Sequence, residues 1–137
     1  MVRENVVTLI GRLEKARKPS RALDTRIQCF IQGFRFISYE GGTGEHFRYE
    51  TPPGTPPNAL NGVRNYTESL DAAMSFLPKG HFVNASCLWP EEANNKISVV
   101  RASDDVIVGE NNRLTTAPLA ACIAILHAII LLEKEGG

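Results

Sequence analysis

The stretch of this chain that most constrains its fold is residues 116–133. It reads TAPLAACIAILHAIILLE and carries apolar side chains on nearly every side of a helix. A helix that is apolar all the way round has no face to present to water, so it has to be covered on every side. We therefore predict that this stretch forms the central, buried element of the fold.

The same stretch is also the part of the chain most similar to a membrane span. Its apolar run, residues 117–132, is shorter than the roughly 20 residues that cross a bilayer, and it contains Pro118 and His127. The N-terminus has charges around a very short apolar run, unlike a signal peptide. The three cysteines are an odd number outside any C-x-x-C pair, which is typical of free thiols in a reducing compartment. These features predict a cytoplasmic protein without membrane contact.

Amphipathic spacing predicts three shorter helices. Residues 5–18 place apolar side chains three and four positions apart, with charged side chains on the opposite face, and a proline follows. Ser20 is a good N-cap for a second helix, which Gly33 would end. A third helix is predicted from an N-cap at Thr67 to Pro78.

Five stretches have the pattern of β-strands. Residues 34–40 and 46–50 are rich in aromatic side chains and flank a glycine-rich turn, which predicts a hairpin. Residues 83–89 and 97–101 alternate in polarity and predict a second hairpin, with residues 106–108 as a short third strand. Strands do not alternate with crossover helices, which argues against a parallel sheet.

These elements define an α+β fold in the order α-α-(ββ)-α-β-β-(β)-α. We predict an antiparallel sheet of about three to five strands layered with helices. The length of 137 residues suits one domain, residues 1–137. Residues 51–65 hold four prolines and two glycines, so they predict a surface loop.

Three blocks of the sequence resemble the phage ABA sandwich domain, a family of small phage and prophage proteins. The blocks are LIGRLEKARKPSRALDTRI (residues 9–27), YTESLDAAMSFLP (66–78) and TAPLAACIAILHA (116–128). The middle block is the most specific, because a tyrosine and a threonine open its helix. The resemblance implies a bacterial, phage-encoded origin and helices layered with a sheet. The family has no assigned reaction, so the resemblance implies no activity.

No group of residues has the spacing of a catalytic or metal site. The histidines lie on different elements without an i, i+4 partner, and the cysteines lie in apolar patterns that disfavour a thiolate. Asp24 and Asp71 fall in the first turns of predicted helices, where a carboxylate interacts with the helix dipole. The sequence therefore predicts no catalytic residue, no cofactor and no metal. The histidines and cysteines considered were His46, His81, His127, Cys29, Cys87 and Cys122.

The corner between the first two predicted helices has a strong local excess of positive charge. The chain as a whole has zero net charge, with 15 cationic and 15 anionic residues, so a general attraction to nucleic acid or anionic membrane is not supported. A solvated helix face is the commoner meaning of such a cluster, and a phosphate-binding patch is the sharper alternative. The candidate phosphate or nucleic-acid contacts are Arg12, Lys15, Arg17, Lys18 and Arg21.

Three functions remain open. The leading hypothesis is a non-enzymatic phage or prophage accessory protein that acts through contacts with another phage or host protein. The second is weak nucleic-acid binding through the basic corner, and the third is a small enzyme of unknown reaction.

A homodimer is also predicted, because a second copy is the simplest cover if Ile125, Ile129 and Leu132 are left bare. The alternative is a monomer in which residues 34–65 cover the helix.

Overall fold

The computed structural model describes residues 5–42, 44–56, 60, 62–85 and 94–136. These residues form four helices and five strands, which confirms the α+β fold and the predicted order of elements. In chain order the elements are α1 (Val6–Lys15), α2 (Arg21–Gln32), β1 (Arg35–Glu40), β2 (His46–Glu50), α3 (Leu70–Met74), β3 (His81–Ala85), β4 (Ile97–Arg101), β5 (Val106–Glu110) and α4 (Ala117–Gly136).

The described strands are divided between two antiparallel sheets. β1 and β2 form a hairpin that packs on α2 around a small apolar cluster of Cys29, Phe34 and Phe36. β3, β4 and β5 form a three-stranded meander in that order, with a register shift between Val99 and Val100. The prediction of antiparallel pairing is confirmed, although the strands belong to two sheets and not to one.

Helix α4 is the central element of the main core. One side of it packs against β4 and β5, and α1 and α3 also pack against it. Side chains from Ala117 to Leu126 are buried, which confirms the prediction of a central helix. At 20 residues, α4 is longer than the apolar run predicted, and its length and composition alone would allow it to cross a membrane. Most of that helix is buried inside the fold, as in the core helix of a soluble protein.

Strand β5 approaches α4 at backbone distance. A Cβ atom built on Gly109 would lie 2.2 Å from the carbonyl oxygen of Ala124 and 2.6 Å from the backbone nitrogen of Ala128. Real Cβ atoms are not found so close to another heavy atom, so this contact requires glycine. The sequence pattern placed Gly109 just beyond the strand, whereas the residue lies inside β5.

A buried asparagine joins the start of β4 to the segment before α4. The side-chain oxygen of Asn111 accepts the backbone N–H of Ile97 at 2.8 Å. Its amide nitrogen donates to the carbonyl oxygens of Asn95, at 3.0 Å, and Arg113, at 2.8 Å. Asn111 is fully buried, so these bonds take the place of water for all three backbone groups.

The ends of two helices differ from the predictions. α1 begins at the N-cap Asn5 but ends at Lys15, three residues before the predicted end at residue 18, because Ala16 is already extended. α3 is capped by Ser69 and not by Thr67, and it ends at Met74, before the predicted end at Pro78. The predicted caps of α2 are confirmed: Ser20 accepts a hydrogen bond from the third helical N–H, and Gly33 has a left-handed φ of 78°.

Two predicted segments extend beyond the described residues. The strand predicted at residues 83–89 corresponds to β3, but residues 86–89 lie outside the described part of the chain, as does most of the turn that follows. Within the predicted loop at residues 51–65, the described residues form no regular helix or strand. Leu60 of this loop is partly buried against the small apolar cluster.

Candidate functional site

A concave cavity opens at the corner between α1 and α2, beside β1. Its volume is about 660 Å³, within the roughly 300–1,000 Å³ typical of ligand sites. Five cationic side chains line it, and its described lining includes no carboxylate. We call this cavity the basic groove. Its cationic residues are Arg12, Lys15, Arg17, Lys18 and Arg26.

The local backbone brings these charges to one side of the corner. Arg12 and Lys15 lie three positions apart in the last turns of α1, so they are neighbours on the helix surface. The chain then becomes extended at Ala16, and the fixed φ of Pro19 together with the N-cap at residue 20 separates it from α2. Arg17 and Lys18 lie on this short link and line the same groove. The sequence prediction placed these four residues at one candidate site, and the structure brings them together.

The groove has an apolar floor beneath its cationic side chains. Phe36 of β1 and Leu23 of α2 are both 9% exposed, and three smaller residues complete the floor. The guanidinium carbon of Arg26 lies over the Phe36 ring, 4.2 Å from its centroid, which is a cation–π contact. The three smaller residues are Ala16, Pro19 and Ala22.

The four predicted cationic residues of the groove have no charge partner among the described residues. Within the described part of the chain, the side chains of Arg12, Lys15, Arg17 and Lys18 form neither ion pairs nor hydrogen bonds. Like charges gathered around a concave surface produce a local positive potential, even when the net charge of the chain is zero. The groove is therefore suited to an anionic ligand.

The positive surface continues past the groove. A second cavity of about 300 Å³ adjoins it, and Ala16 and Arg17 line both cavities. Arg113, in the segment before α4, adds a cation on the far side, while Glu14 is the carboxylate in that lining. The cationic side chains therefore extend over a longer surface than a single small anion would cover.

Arg21 does not belong to the groove, in contrast to the sequence prediction. Its guanidinium forms a bidentate ion pair with Glu45, with Nε–Oε2 at 2.7 Å and Nη2–Oε1 at 3.0 Å. It also donates to Asp24 Oδ2 at 3.0 Å and to the carbonyl oxygens of residues 63 and 64. Hydrogen bonds from Arg21 and then from Tyr39 lower the pKa of Glu45 to about 2. The charge of Arg21 is therefore already paired, and its hydrogen bonds connect the hairpin turn and residues 63–64 to α2.

Asp24 has a larger role than the predicted interaction with a helix dipole. The residue is 1% exposed, and its Oδ1 accepts the backbone N–H of Thr67 at 2.8 Å and the Thr67 hydroxyl at 2.7 Å. The Thr67 hydroxyl oxygen in turn accepts the backbone N–H of Ser20 at 2.9 Å. Thr67 therefore binds the start of α2 and does not cap α3. Burial raises the pKa of Asp24, against the opposing effect of its bonds to Thr67 and Arg21.

Replacing Asp24 with asparagine is expected to change how stability depends on pH. Because burial raises the pKa of Asp24 in the folded state above its ordinary 3.8, the folded chain holds this proton more tightly than the unfolded chain. The unmodified protein should therefore lose stability relative to Asp24→Asn as pH rises from about 3.8 through the raised pKa. Urea unfolding of both proteins at several pH values between about 3 and 7 measures this difference.

The comparison separates Asp24 from Glu45, because the pKa of Glu45 is lowered to about 2 and its carboxylate stays ionised in the folded protein across this pH range. A difference in stability that stays constant over this pH range would contradict the buried, titrating carboxylate, as would a difference of the opposite sign.

The histidines and cysteines of the described chain do not form a metal-binding group. No three His, Cys, Asp or Glu side chains lie close enough together there to hold a metal ion. His127 lines a separate cavity of about 360 Å³ together with Glu110 and Lys134. The Nε2 atom of His127 is buried and has no hydrogen-bond partner, so neither the carboxylate nor the ammonium group there is bonded to this atom. Cys122 is fully buried, and burial strongly raises the pKa of its thiol, which disfavours the thiolate needed of a nucleophile. Cys87 lies outside the described residues.

The residues predicted to form a bare apolar patch are more buried than expected. Ile125 is fully buried in the main core, so it is not available for self-association. Ile129 and Leu132 are partly buried. The larger exposed apolar side chains of the three-stranded sheet lie elsewhere, at Phe82 and Ile107, which are 44% and 56% exposed. The prediction required Ile125 to be exposed, and in the fold this side chain is covered; the homodimer itself stays a prediction.

Comparisons with known proteins identify no relative of this chain. No family model matches it, no curated protein matches it, and no solved structure matches it. The resemblance to the phage ABA sandwich domain therefore depends on the three sequence blocks alone.

Arg26 and Phe36 line the groove but were absent from the predicted contacts. Arg26 lies three and four positions after Leu23 and Ala22, so helical spacing placed it on the same face of α2 as the floor of the groove. That signal would have favoured Arg26 over Arg21. Phe36 had no comparable signal, because its position beside α2 depends on how the hairpin packs.

Proposed function

We propose that this protein is a non-enzymatic binding protein whose basic groove takes nucleic acid through its phosphates. The observation that carries the proposal is a groove of about 660 Å³ with five cationic side chains and no carboxylate in its described lining. Arginine and lysine bind phosphate through charge-assisted hydrogen bonds, and arginine can do so with two bonds at once.

A polymeric anion fits this surface better than a small one. The cationic residues begin at Arg12 in α1, continue through Arg17 and reach Arg113 across the adjoining cavity. A nucleic-acid strand offers a regular row of phosphates that can occupy such a surface, whereas a single phosphate would occupy one part of it. Because the net charge of the chain is zero, the attraction is local, and we expect weak affinity with a strong dependence on salt.

The proposed setting is the cytoplasm of a bacterial cell, with the protein acting as a phage or prophage accessory factor. The three sequence blocks and the free buried cysteines Cys29 and Cys122 support this setting. Self-association as a homodimer and contact with another phage or host protein belong to the same proposal. A dimer would carry two basic grooves and could engage one strand at two points, which raises avidity without new contacts.

Charge reversal in the groove is expected to abolish nucleic-acid binding. Fluorescence anisotropy with a labelled oligonucleotide of mixed sequence should detect binding at low salt. The logarithm of the affinity should fall against the logarithm of salt concentration with a slope of about −3 to −4, since four or five phosphates are contacted. The double variant Arg17→Glu, Lys18→Glu should lose this binding, because both residues are exposed and line the groove.

The matched control is the double variant Arg48→Glu, Lys79→Glu. It changes the net charge by the same amount at exposed positions that do not line the groove, and it should bind like the unmodified protein. An absence of binding at low salt would contradict the proposal, as would an equal loss in the two double variants. Competition by polyglutamate as strong as that by nucleic acid of equal charge would assign the groove to an acidic protein segment instead.

A further inference from the structure

The basic groove contains a cation–π pair, Arg26 over Phe36, that phosphate binding does not require. The Arg26 guanidinium lies over the Phe36 ring with its carbon 4.2 Å from the ring centroid, and both residues line the groove. Around them the floor is formed by Leu23, Ala22 and Pro19, which offer no hydrogen-bonding side chain to a phosphate. Cations at the groove and an apolar floor below them suit a ligand that has both a charged backbone and a flat, apolar face.

We infer that the basic groove is selective for single-stranded nucleic acid and that a base stacks on the Arg26 guanidinium. This inference depends on the proposed function, because it concerns the same groove. In a duplex the bases are stacked on one another, and only phosphates and sugars are presented to a surface of this kind. In a single strand the bases can turn out, and aromatic rings and arginine planes are the usual partners on which they stack.

The arrangement of Arg26 explains why it serves as a platform and not as one more phosphate contact. Phe36 is 9% exposed, so its ring is largely covered and is not the surface that a base would meet. The guanidinium on top of it is planar, and contact with the ring restricts its orientation. A lysine at this position would keep the charge but would have no plane. The inference therefore distinguishes Arg26 from the four other cationic residues of the groove.

Three probes of equal length separate base stacking from phosphate contact. They are a single-stranded oligothymidylate, the same strand made of abasic nucleotides, and a DNA duplex. Anisotropy at low salt should show that the oligothymidylate binds at least about fivefold more tightly than the abasic strand, since stacking of one base contributes at least that factor. It should also bind more tightly than the duplex, although the duplex carries more phosphates.

The variant Arg26→Lys tests the platform. It should weaken binding of the oligothymidylate to the level of the abasic strand, while the affinity for the abasic strand and the salt slope stay unchanged. Arg48→Lys, at an exposed position on β2 outside the groove, is the control and should change none of these values. The comparison of the three probes uses the unmodified protein. It therefore decides whether a base contributes to binding even if Arg26→Lys fails to fold.

The outcomes separate the inference from the proposed function. Salt-dependent binding that is equal for oligothymidylate and abasic strands would overturn base stacking and leave nucleic-acid binding in place. Tighter binding of the duplex would likewise overturn the selectivity for single strands. An absence of binding by all three probes at low salt would overturn both.

Discussion

Gly109→Ala is expected to lower the free energy of unfolding by about 3 kcal/mol or more. The added Cβ would lie 2.2 Å from the carbonyl oxygen of Ala124 and 2.6 Å from the nitrogen of Ala128. Both neighbours are backbone atoms of α4, so rotation of a side chain cannot relieve the overlap, and β5 has to move away from the helix. Because native domains are stable by only about 5–15 kcal/mol, this is a large fraction of the total. Urea unfolding followed by circular dichroism measures the loss.

The matched control is Gly11→Ala in α1. Apart from the backbone of its own helix, a Cβ at Gly11 would have no heavy atom within 4 Å, and the residue lies in the interior of α1. Alanine should therefore stabilise the protein by about 0.5–1 kcal/mol, through the lower conformational entropy of the unfolded chain and its better helix propensity. Equal effects of the two substitutions, or a cost below about 1 kcal/mol for Gly109→Ala, would show that β5 does not approach α4 as closely as described.

Asn111→Ala is expected to cost about 3 kcal/mol. The substitution leaves the N–H of Ile97 and the carbonyl oxygens of Asn95 and Arg113 without their side-chain partner, at distances of 2.8, 3.0 and 2.8 Å in the native fold. Each buried polar group left without a hydrogen bond costs about 1–3 kcal/mol, and not all of this cost is recovered by water entering the space. Urea unfolding again provides the measurement, with thermal unfolding as a second readout.

The neighbouring Asn112→Ala serves as the control for this substitution. Asn112 is exposed, so its loss should change stability by no more than about 0.5 kcal/mol. If Asn111→Ala were as mild as Asn112→Ala, the network of hydrogen bonds between β4 and the segment before α4 would not contribute to stability as proposed.

The elements that local pattern determines were predicted from sequence. The apolar stretch predicted a central α4, because a helix without a polar face needs cover on every side. Ser20 and Gly33 marked both ends of α2, because capping is a local interaction. Antiparallel pairing followed from the order of the strands. The division into two sheets did not follow, because it depends on which helix covers each hairpin.

The errors occurred where a tertiary contact uses a side chain that also fits a local role. Thr67 has the chemistry of an N-cap, but its hydroxyl is bonded to Asp24 and Ser20, so Ser69 caps α3 in its place. Such competition between local and long-range partners is not visible in a single sequence.

The candidate groove shows the same limit. Arg12, Lys15, Arg17 and Lys18 could be grouped from their spacing because they are close in sequence. Arg21 was included for the same reason, yet Glu45, a residue 24 positions away, neutralises it. The apolar floor formed with Phe36 required knowledge of how the hairpin packs on α2.

The hydrogen bonds of Thr67 connect the segment before α3 to the start of α2, which is part of the corner that forms the groove. The backbone N–H of Ser20 is donated to a hydroxyl 47 residues away, and that hydroxyl is held in turn by Asp24. The hydrogen of this amide can exchange with solvent only when the segment around Thr67 separates from α2. The start of α2 and the segment before α3 therefore open together, as one unit of local unfolding. A ligand that holds the corner closed would thus slow hydrogen exchange in a part of the chain that it never touches.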